Sequence, residues 1–313
     1  MNGRMIAVAM GVHVMDVLVR PVEAIPEGQG GQLVDEIRVT AAGSAGGTAI
    51  TLAKLGATVR SAGAIGTDAV GDMLIQLLER DGVDTSLLVR REDVQTSASV
   101  LPIRPNGDRP AFHVIGANQV YGPEDVPLDE IAAATHLHLG GPEFMGGEAA
   151  ARILEQARAQ AVVTSADVLA PGDAGLLEWI APALAHLDYL LPNDEQVLGF
   201  TGADDLVAAC RALVDRGVGC VAATCGADGV VIVDADGVET VPAFAVDVVD
   251  TTGCGDSFSA GFLRGLALGR GRRDAALLGC AAAALVAQGL GSDHGEFDLA
   301  AADAFAASTP SHV

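Results

Sequence analysis

Short apolar runs alternate with helical patterns along most of the 313-residue chain. The runs predict buried strands at residues 5–10, 59–65, 136–139, 161–165, 189–191, 219–224 and 230–233. Between them, apolar residues recur at helical spacing, as at Ile153, Leu154 and Ala157. This alternation predicts an α/β fold in which helices lie on both faces of a mostly parallel sheet. In such sheets, ligands bind at the carboxyl ends of the strands.

Two regions break this alternation. Residues 32–40 alternate between apolar and polar side chains, as in an exposed strand. Residues 97–115 are typical of a hairpin, with the pair Asn106-Gly107 as its turn. Both regions therefore predict strands that project from the α/β core.

Together these strands predict a small β-sheet lid, inserted at about residues 17–41 and 96–117 of a single domain that spans residues 1–313. A lid over the strand ends suits an enzyme that excludes water from a reactive phosphate. A surface hairpin without a role is the alternative. Because exposed strands tend to pair, the lid also favours a homodimer.

Charge and cysteine content narrow the class of protein. The net charge of −23 and the single lysine, Lys54, argue against nucleic-acid binding and leave no candidate for a P-loop lysine. The five cysteines form no C-x-x-C pair, as expected of reduced thiols in the cytoplasm. No apolar run reaches the ~18 residues of a membrane span, and the first residues lack a signal-peptide pattern. We therefore expect a soluble cytoplasmic protein that binds a small molecule.

The stretch from Asp250 to Gly261 combines an anion site with a carboxylate. It follows an apolar, strand-like run at residues 246–249 and opens a segment rich in Ala and Leu, so we expect a helix to begin there. The first N–H groups of a helix lack partners and lie at the positive end of its dipole, so they bind anions. Asp256 lies beside them, which indicates phosphoryl transfer to a hydroxyl. The alternative is a tight turn with an aspartate near a helix start.

The same string, Asp-Thr-Thr-Gly-Cys-Gly-Asp-Ser-Phe, resembles the carboxyl-terminal signature D-T-x-G-A-G-D-x-F of the ribokinase-like (PfkB) carbohydrate and nucleoside kinases. Further stretches resemble motifs of that family, in the family's order, over nearly the whole chain: residues 11–16, 43–49, 63–71, 116–118, 138–141, 192–196 and 224–229. The resemblance implies a ribokinase-like core of mostly parallel sheet between helices.

The resemblance also implies an ATP-dependent kinase that transfers the γ-phosphate to a primary hydroxyl of a sugar. Asp256 would be the general base that takes the hydroxyl proton. The backbone N–H groups of Gly253, Cys254 and Gly255 would form the anion hole for the transferred phosphoryl. Positioning and charge stabilisation are most of what such a reaction requires.

Other roles are carried to this chain by the resemblance alone. The implied acceptor contacts are Asp16, Gly43, Ser44, Gly47 and Asn118. The implied ATP contacts are Asn193, Thr224, Gly226 and Gly229. A monovalent cation such as K⁺ is expected at Asp250 and Thr252, with carbonyls near residues 287–291. Mg²⁺ is expected to reach Gln196 through a bound water.

The chain departs from the family pattern at several positions. Gly47 stands where the family has an asparagine, and Gln196 stands where a glutamate is usual. Cys254 replaces a common alanine; a thiol at a helix start is expected to have a lowered pKa and to react with alkylating agents. The segment Asp167-Val-Leu169 lacks the asparagine of a D-x-N motif. These departures concern the substrate and the metal, and they leave the reaction class intact.

Two alternatives to a sugar kinase stay open. A nucleoside (adenosine-like) kinase fits the same motifs, although nothing aromatic near the lid marks a slot for stacking a base. A non-catalytic, sugar-sensing homologue is less favoured because Gly253, Gly255 and Asp256 are retained. A Rossmann dehydrogenase is poorly supported because no G-x-G-x-x-G follows the first strand.

Overall fold

The computed structural model describes residues 3–105 and 108–312, so the predicted turn pair Asn106-Gly107 lies outside the described residues. The strands are β1 (Ile6–Gly11), β2 (Val14–Arg20), β3 (Glu36–Ala42), β4 (Thr58–Gly66), β5 (Asp84–Arg91), β6 (Ala98–Pro102), β7 (Phe112–Val114), β8 (His136–Gly140), β9 (Val163–Asp167), β10 (Tyr189–Leu190), β11 (Cys220–Thr224), β12 (Val230–Asp234) and β13 (Val238–Val241). The helices are α1 (Ser44–Lys54), α2 (Ala69–Arg80), α3 (Leu128–Ala132), α4 (Gly147–Ala159), α5 (Ala174–Leu184), α6 (Asp194–Thr201), α7 (Leu206–Asp215), α8 (Cys254–Ala267), α9 (Arg272–Ala287) and α10 (Leu299–Ser308).

Nine strands form one large sheet in the order β13-β12-β11-β10-β9-β8-β1-β4-β5. All neighbours from β11 to β5 are parallel, and β12 and β13 add an antiparallel edge. Val8 and Met10 belong to one buried apolar cluster and Ala7 and Ala9 to another, because successive side chains of a strand point to opposite faces. Helices cover both faces, so the predicted α/β fold is confirmed.

The seven strands predicted between residues 5 and 233 are all present, with ends displaced by at most two residues. The apolar pattern did not predict β5 and β13, because they are edge strands with many exposed polar side chains. The strand expected at residues 246–249 is wrong. Within the described residues this segment pairs with no strand, and the N–H groups of Val249 and Asp250 bond instead to Ala287 O, at 2.8 and 3.3 Å.

Four strands form a second, smaller sheet in the order β3-β2-β6-β7. β6 and β7 pair antiparallel, as the hairpin pattern predicts, and β2 runs parallel to β6. β2 begins at Val14 and β3 ends at Ala42, so the strands of this sheet extend slightly beyond the predicted insertion at 17–41. Residues 32–35, expected in a strand, precede β3.

The register of this small sheet gives it two unlike faces. The outer face carries apolar residues in register across the four strands: Val39, Val17, Val100 and Phe112. On the inner face, Asp16 lies opposite Thr40 and Ser99, and all three residues are buried. The small sheet therefore turns the buried polar group Asp16, Thr40 and Ser99 inward, beside the apolar Leu18 and Leu101, and turns an apolar face outward.

Helix α8 is fixed between α1 and α9 by small residues. A Cβ added at Gly261 would lie 2.7 Å from the Cα atom of Gly279 in α9, so the two helices touch through their backbones. On the other side, the hydroxyls of Thr51 in α1 and Ser257 lie 3.1 Å apart. This packing holds the first turn of α8 rigidly. Among the helices described, none is long and apolar enough to cross a membrane.

Candidate active site

A cavity of about 350 Å³ lies at the carboxyl ends of β9, β10 and β11. Its wall includes Asp167, the last residue of β9, and Thr224, the last residue of β11. The small sheet contributes Asp16 from β2 and Arg109 from the segment between β6 and β7. The sequence-predicted site residues that line this cavity are Asp16, Gly43, Ser44, Asn193, Gln196, Thr224, Thr252, Gly253, Gly255 and Asp256.

Helix α8 begins with a left-handed cap. Gly253 has φ 76°, and a Cβ there would lie 2.5 Å from the Cα atom of Ser292, so this position requires glycine. The N–H of Cys254 makes one long bond, 3.3 Å, to Thr251 O, and the N–H of Ser257 bonds back to Gly253 O at 2.9 Å. Gly253 and Gly255 line the cavity, so the positive end of the α8 dipole lies at its wall.

The Asp256 carboxylate lies in the first turn of α8 and lines the cavity. Burial raises the pKa of Asp256 well above the value of an ordinary aspartate, and the negative charges of Asp167 and Asp16 raise it further. The positive charge of Arg109 acts in the opposite direction. A carboxylate with a raised pKa takes up a proton more readily, as a general base must.

Asp16 faces Asp256 from the inner face of the small sheet. Burial raises the pKa of Asp16 to about 6, although a hydrogen bond from Ser99 and the charge of Arg109 lower it. Ser99 is held in turn, since its hydroxyl lies 2.9 Å from Nδ1 of His113. Asp16 is therefore a fixed acceptor for hydrogen bonds from hydroxyl groups in the cavity.

Two of the residues that the family resemblance assigns to acceptor binding, Asn118 and Gly47, do not line the cavity. Asn118 accepts a hydrogen bond from the N–H of His13 at 3.1 Å and donates to its carbonyl at 3.0 Å, so its amide holds the connection between β1 and β2. Gly47 lies behind Asp256, where an added Cβ would be 2.9 Å from the Asp256 Cγ atom. An asparagine at Gly47 would therefore displace the Asp256 carboxylate.

Asn193 and Gln196 form a capping box at the start of α6. The Gln196 N–H donates to the side chain of Asn193 at 2.8 Å, and the Asn193 N–H donates to Gln196 Oε1 at 2.9 Å. Gln196 Nε2 also donates to the carbonyls of Val168 and Ala170, at 2.9 and 3.1 Å. Both ends of the Gln196 amide are thus engaged with the protein itself.

A second, mainly apolar cavity of about 310 Å³ adjoins the first. Thr224 and Gly255 line both cavities. The other predicted ATP contacts, Gly226 and Gly229, lie on the wall of the second cavity together with Phe244 and Phe258. This arrangement suits a flat, largely apolar ring whose polar substituent extends toward the start of α8.

The expected lowering of the Cys254 pKa is wrong. Burial raises the pKa of this thiol to about 12, and the charges of Asp250 and Asp256 add to that effect, whereas Arg109 opposes it. The Cys254 Sγ atom lies 3.6 Å from Ala283 O, against α9. Desolvation and two nearby carboxylates thus outweigh the helix dipole, and the thiol stays protonated at neutral pH.

Asp250 ties the segment before α8 to the segment after α9. Its Oδ1 accepts hydrogen bonds from the N–H and the hydroxyl of Thr252, at 3.0 and 2.8 Å, and its Oδ2 accepts from the N–H of Gly291 at 2.9 Å. The structure therefore brings together Asp250, Thr252 and the segment near residues 287–291, as the family resemblance implies.

Two charged residues of the cavity wall, Asp167 and Arg109, were not among the predicted site residues. Asp167 is buried, and its Oδ1 has no hydrogen-bond partner. The signal for Asp167 was available, because a polar residue at the carboxyl end of a predicted strand lies at the ligand-binding edge. Arg109 follows the predicted turn pair Asn106-Gly107 in the sequence and belongs to no motif, so the sequence offered no signal for it.

A helix start and three carboxylates at the carboxyl ends of parallel strands are typical of phosphoryl-transfer enzymes. The chain belongs to the pfkB family of carbohydrate kinases, whose family model matches residues 8–296. It is accordingly a phosphotransferase with an alcohol group as acceptor, and the family expected from the motifs is confirmed.

Relatives and solved structures agree with this assignment. The chain is 32% identical to an ATP-dependent ribose-1-phosphate kinase of Halopiger xanaduensis, over 83% of this chain and 84% of the relative. A putative ribokinase II from E. coli in complex with ATP and Mg²⁺ has a TM-score of 0.84 at 20% identity, covering 96% of this chain and 98% of its own. An Arabidopsis thaliana ribokinase complexed with ribose and ATP has a TM-score of 0.82 at 21% identity, covering 97% and 98%. The structural matches establish the ribokinase-like fold.

Proposed function

We propose that this protein is an ATP-dependent kinase that transfers the γ-phosphate to a primary hydroxyl of a sugar. One observation carries the proposal: Asp16, Asp256 and the start of α8 line the same cavity. Asp16 holds the acceptor hydroxyls, and Asp256 takes the proton of the hydroxyl that attacks. The backbone N–H groups of Gly253, Cys254 and Gly255 stabilise the charge on the transferred phosphoryl, and ADP leaves.

The second cavity is the proposed site of the adenine ring. It is mainly apolar, and it meets the first cavity at Thr224 and Gly255. A nucleotide with its base among Gly226, Gly229 and Phe244 would extend its phosphates past Asn193 and Thr224 to the start of α8. The loop at Gly226 and Gly229 lets the backbone approach the nucleotide closely.

The carboxylates of the cavity fit Mg²⁺. Among residues 3–105 and 108–312, no cluster of three or more His, Cys, Asp or Glu side chains is arranged to hold a metal alone. Mg²⁺ is usually held by one or two carboxylates together with substrate phosphates. The buried Asp167 oxygen without a partner fits this role better than Gln196, whose amide is engaged. When bound, the ion would neutralise charge on the phosphates.

A monovalent cation such as K⁺ is proposed beside Asp250 and Thr252. The hydrogen bonds of Asp250 to Thr252 and Gly291 gather the two segments that the family resemblance assigns to this ion. Because Thr252 directly precedes the cap of α8, an ion here would act on the anion hole through the backbone.

A sugar acceptor is favoured over a nucleoside. Among the described residues that line the first cavity, none is aromatic, so nothing there stacks a base. Phe112, the aromatic residue of β7, lies on the outer face of the small sheet. The phosphorylated ribose named for the Halopiger relative is one candidate acceptor.

The small sheet is proposed to act as a lid and as the contact between two copies of the chain. Its inner face brings Asp16 to the cavity, and its outer face exposes Ile37, Val100 and Phe112. An apolar face on a four-stranded sheet suits a contact that a two-fold axis repeats on the partner.

The function is tested by ADP release with a panel of sugars, sugar phosphates and nucleosides. We expect wild-type protein to turn over a sugar or sugar phosphate. Asp256→Asn is expected to bind ATP with unchanged affinity and to lose at least about 100-fold in kcat. An unimpaired Asp256→Asn variant would remove the general base from the proposal. Turnover of nucleosides alone would establish the nucleoside kinase, and binding without turnover would establish a sensor.

A further inference from the structure

Arg109 is a cation in an otherwise acidic cavity. Three carboxylates, those of Asp16, Asp167 and Asp256, line the wall, and Arg109 is the only lysine or arginine on it among the residues that the structure describes. The sole lysine, Lys54, is engaged elsewhere, since its Nζ donates to the carbonyls of Asp293 and Gly295. Within the described residues, the chain therefore brings one arginine and no lysine to the wall of this cavity.

The position of Arg109 is specific. Its Nη1 donates to the hydroxyl of Thr252 at 2.6 Å, and Thr252 directly precedes Gly253, the cap of α8. Its charge also acts on Asp16 and Asp256. A guanidinium has five N–H donors and binds phosphate bidentately, so one bond to a hydroxyl leaves capacity for an anion. The group is thus held on the cavity wall beside the start of α8.

We propose that Arg109 binds a phosphate group inside the active-site cavity. Its guanidinium supplies the positive charge that the rest of the described wall lacks. This proposal rests on the proposed kinase function. The phosphate comes either from the nucleotide, as its terminal group, or from a phosphorylated acceptor. In the first case Arg109 is a catalytic residue that contacts the transferred phosphoryl. In the second it selects sugar phosphates over sugars. In both cases binding requires the small sheet to lie over the strand ends.

The experiment compares wild type with Arg109→Gln and Arg109→Lys. Arg104→Gln is the matched control, because Arg104 lies in the same hairpin, pairs with Asp108 and lines a different cavity. Calorimetry measures the binding of ADP and of the non-hydrolysable analogue AMP-PNP, each with Mg²⁺. Kinetics with ribose, ribose 1-phosphate and ribose 5-phosphate separate kcat from KM.

If the terminal phosphate is bound, Arg109→Gln weakens AMP-PNP but not ADP and lowers kcat on the order of 100-fold for every acceptor. If the acceptor phosphate is bound, KM rises at least about tenfold for sugar phosphates only, and Arg109→Lys recovers part of the loss. The proposal is overturned if AMP-PNP affinity, kcat and every KM stay within about threefold of wild type. Should wild type turn over no sugar or sugar phosphate of the wider panel, the proposed sugar kinase function fails, while the comparison of AMP-PNP with ADP still tests Arg109.

Discussion

Gln196 stands where the family pattern has a glutamate, and its contacts give a physical reason. Its Nε2 donates to two carbonyl oxygens, those of Val168 and Ala170, and it is buried. A glutamate has no N–H to offer at that end and would place a carboxylate oxygen against two carbonyl oxygens. The amide is therefore needed to join α6 to the segment after β9.

Replacing Gln196 by glutamate is expected to destabilise the protein. Gln196→Glu should lower the free energy of unfolding by about 2–4 kcal/mol, because the carbonyls of Val168 and Ala170 lose their donor and a charge is buried beside them. Urea unfolding at pH 7 measures the change. Glu195→Gln, at the exposed neighbouring position, is the control and should change stability by less than about 0.5 kcal/mol. A Gln196→Glu protein as stable as wild type would contradict this account.

Asp16 is expected to oppose folding at neutral pH in the absence of ligand. A carboxyl whose pKa is higher in the folded than in the unfolded protein binds its proton more tightly when folded. The contribution of Asp16 to the free energy of unfolding therefore falls as the pH rises from 3.8 to about 6, and it is constant at higher pH. Asp16→Asn, which cannot ionise, should raise the free energy of unfolding on the order of 2 kcal/mol at pH 7 and by little near pH 4.

Urea unfolding at both pH values measures this difference. The control is Asp204→Asn, which changes the same charge at an exposed position. The Asp16→Asn protein should also lose turnover, because Asp16 is proposed to hold the acceptor. If Asp16→Asn is no more stable than wild type at pH 7, burial does not destabilise the Asp16 carboxylate and this account is wrong.

Among single residues, sequence patterns located those whose role depends on a local element. Asp256 and Gly253 follow from a helix start, and Asp16 from the end of the first strand and the family motif. Asn118 and Gly47 could not be placed that way. Their surroundings, the backbone of His13 and the carboxylate of Asp256, are distant in sequence and are set by packing.

At the scale of elements, the first turn of α8 contains two glycines with different physical requirements. Gly253 has a positive φ, and a Cβ there meets Ser292. Gly255 lies inside the helix, where an added Cβ meets no atom within 4 Å. The first glycine is required by the backbone, whereas the second leaves open space beside the proposed anion hole.

Alanine at these two positions is expected to have opposite effects on stability. Gly253→Ala should lower the free energy of unfolding by at least about 1–2 kcal/mol, through strain at positive φ and the contact with Ser292. Gly255→Ala should keep it or raise it by about 0.5–1 kcal/mol, because alanine is the better helix former. Thermal and urea unfolding measure both variants. Equal stability losses would mean that the cap conformation does not impose the glycine.

The elements themselves were predictable where burial dictates the pattern. Interior strands such as β1 and β11 are nearly continuous apolar runs, because helices cover both their faces. The edge strands β5 and β13 lack that pattern, since one side of each faces solvent. The apolar residues 246–249 resembled a strand, but the hydrogen bonds to Ala287 O that hold this segment depend on where α9 ends.

At the scale of the whole molecule, the exposed apolar surface of the small sheet needs a physical account. Ile37, Val100 and Phe112 are 64%, 44% and 59% exposed, and they lie on one face with the half-buried Val17 and Val39. A contiguous apolar face of this kind is unfavourable in water unless it is covered. A second copy of the same face is a suitable cover, because a two-fold axis makes the contact self-complementary.

We therefore expect the wild-type protein to be a dimer in solution. Val100→Arg is expected to be a monomer, because dimerisation would bury an arginine without a partner in the middle of that face. Leu33→Arg is the matched control: Leu33 is 99% exposed and lies outside the sheet, so the same substitution there should leave the dimer intact. Light scattering coupled to size exclusion gives both masses. A monomeric wild type, or a dimeric Val100→Arg protein, would contradict a contact through this face.

If the dimer forms through this face, the monomeric Val100→Arg protein should also show a raised KM for the acceptor, because the outer face that pairs and the inner face that carries Asp16 belong to the same four strands.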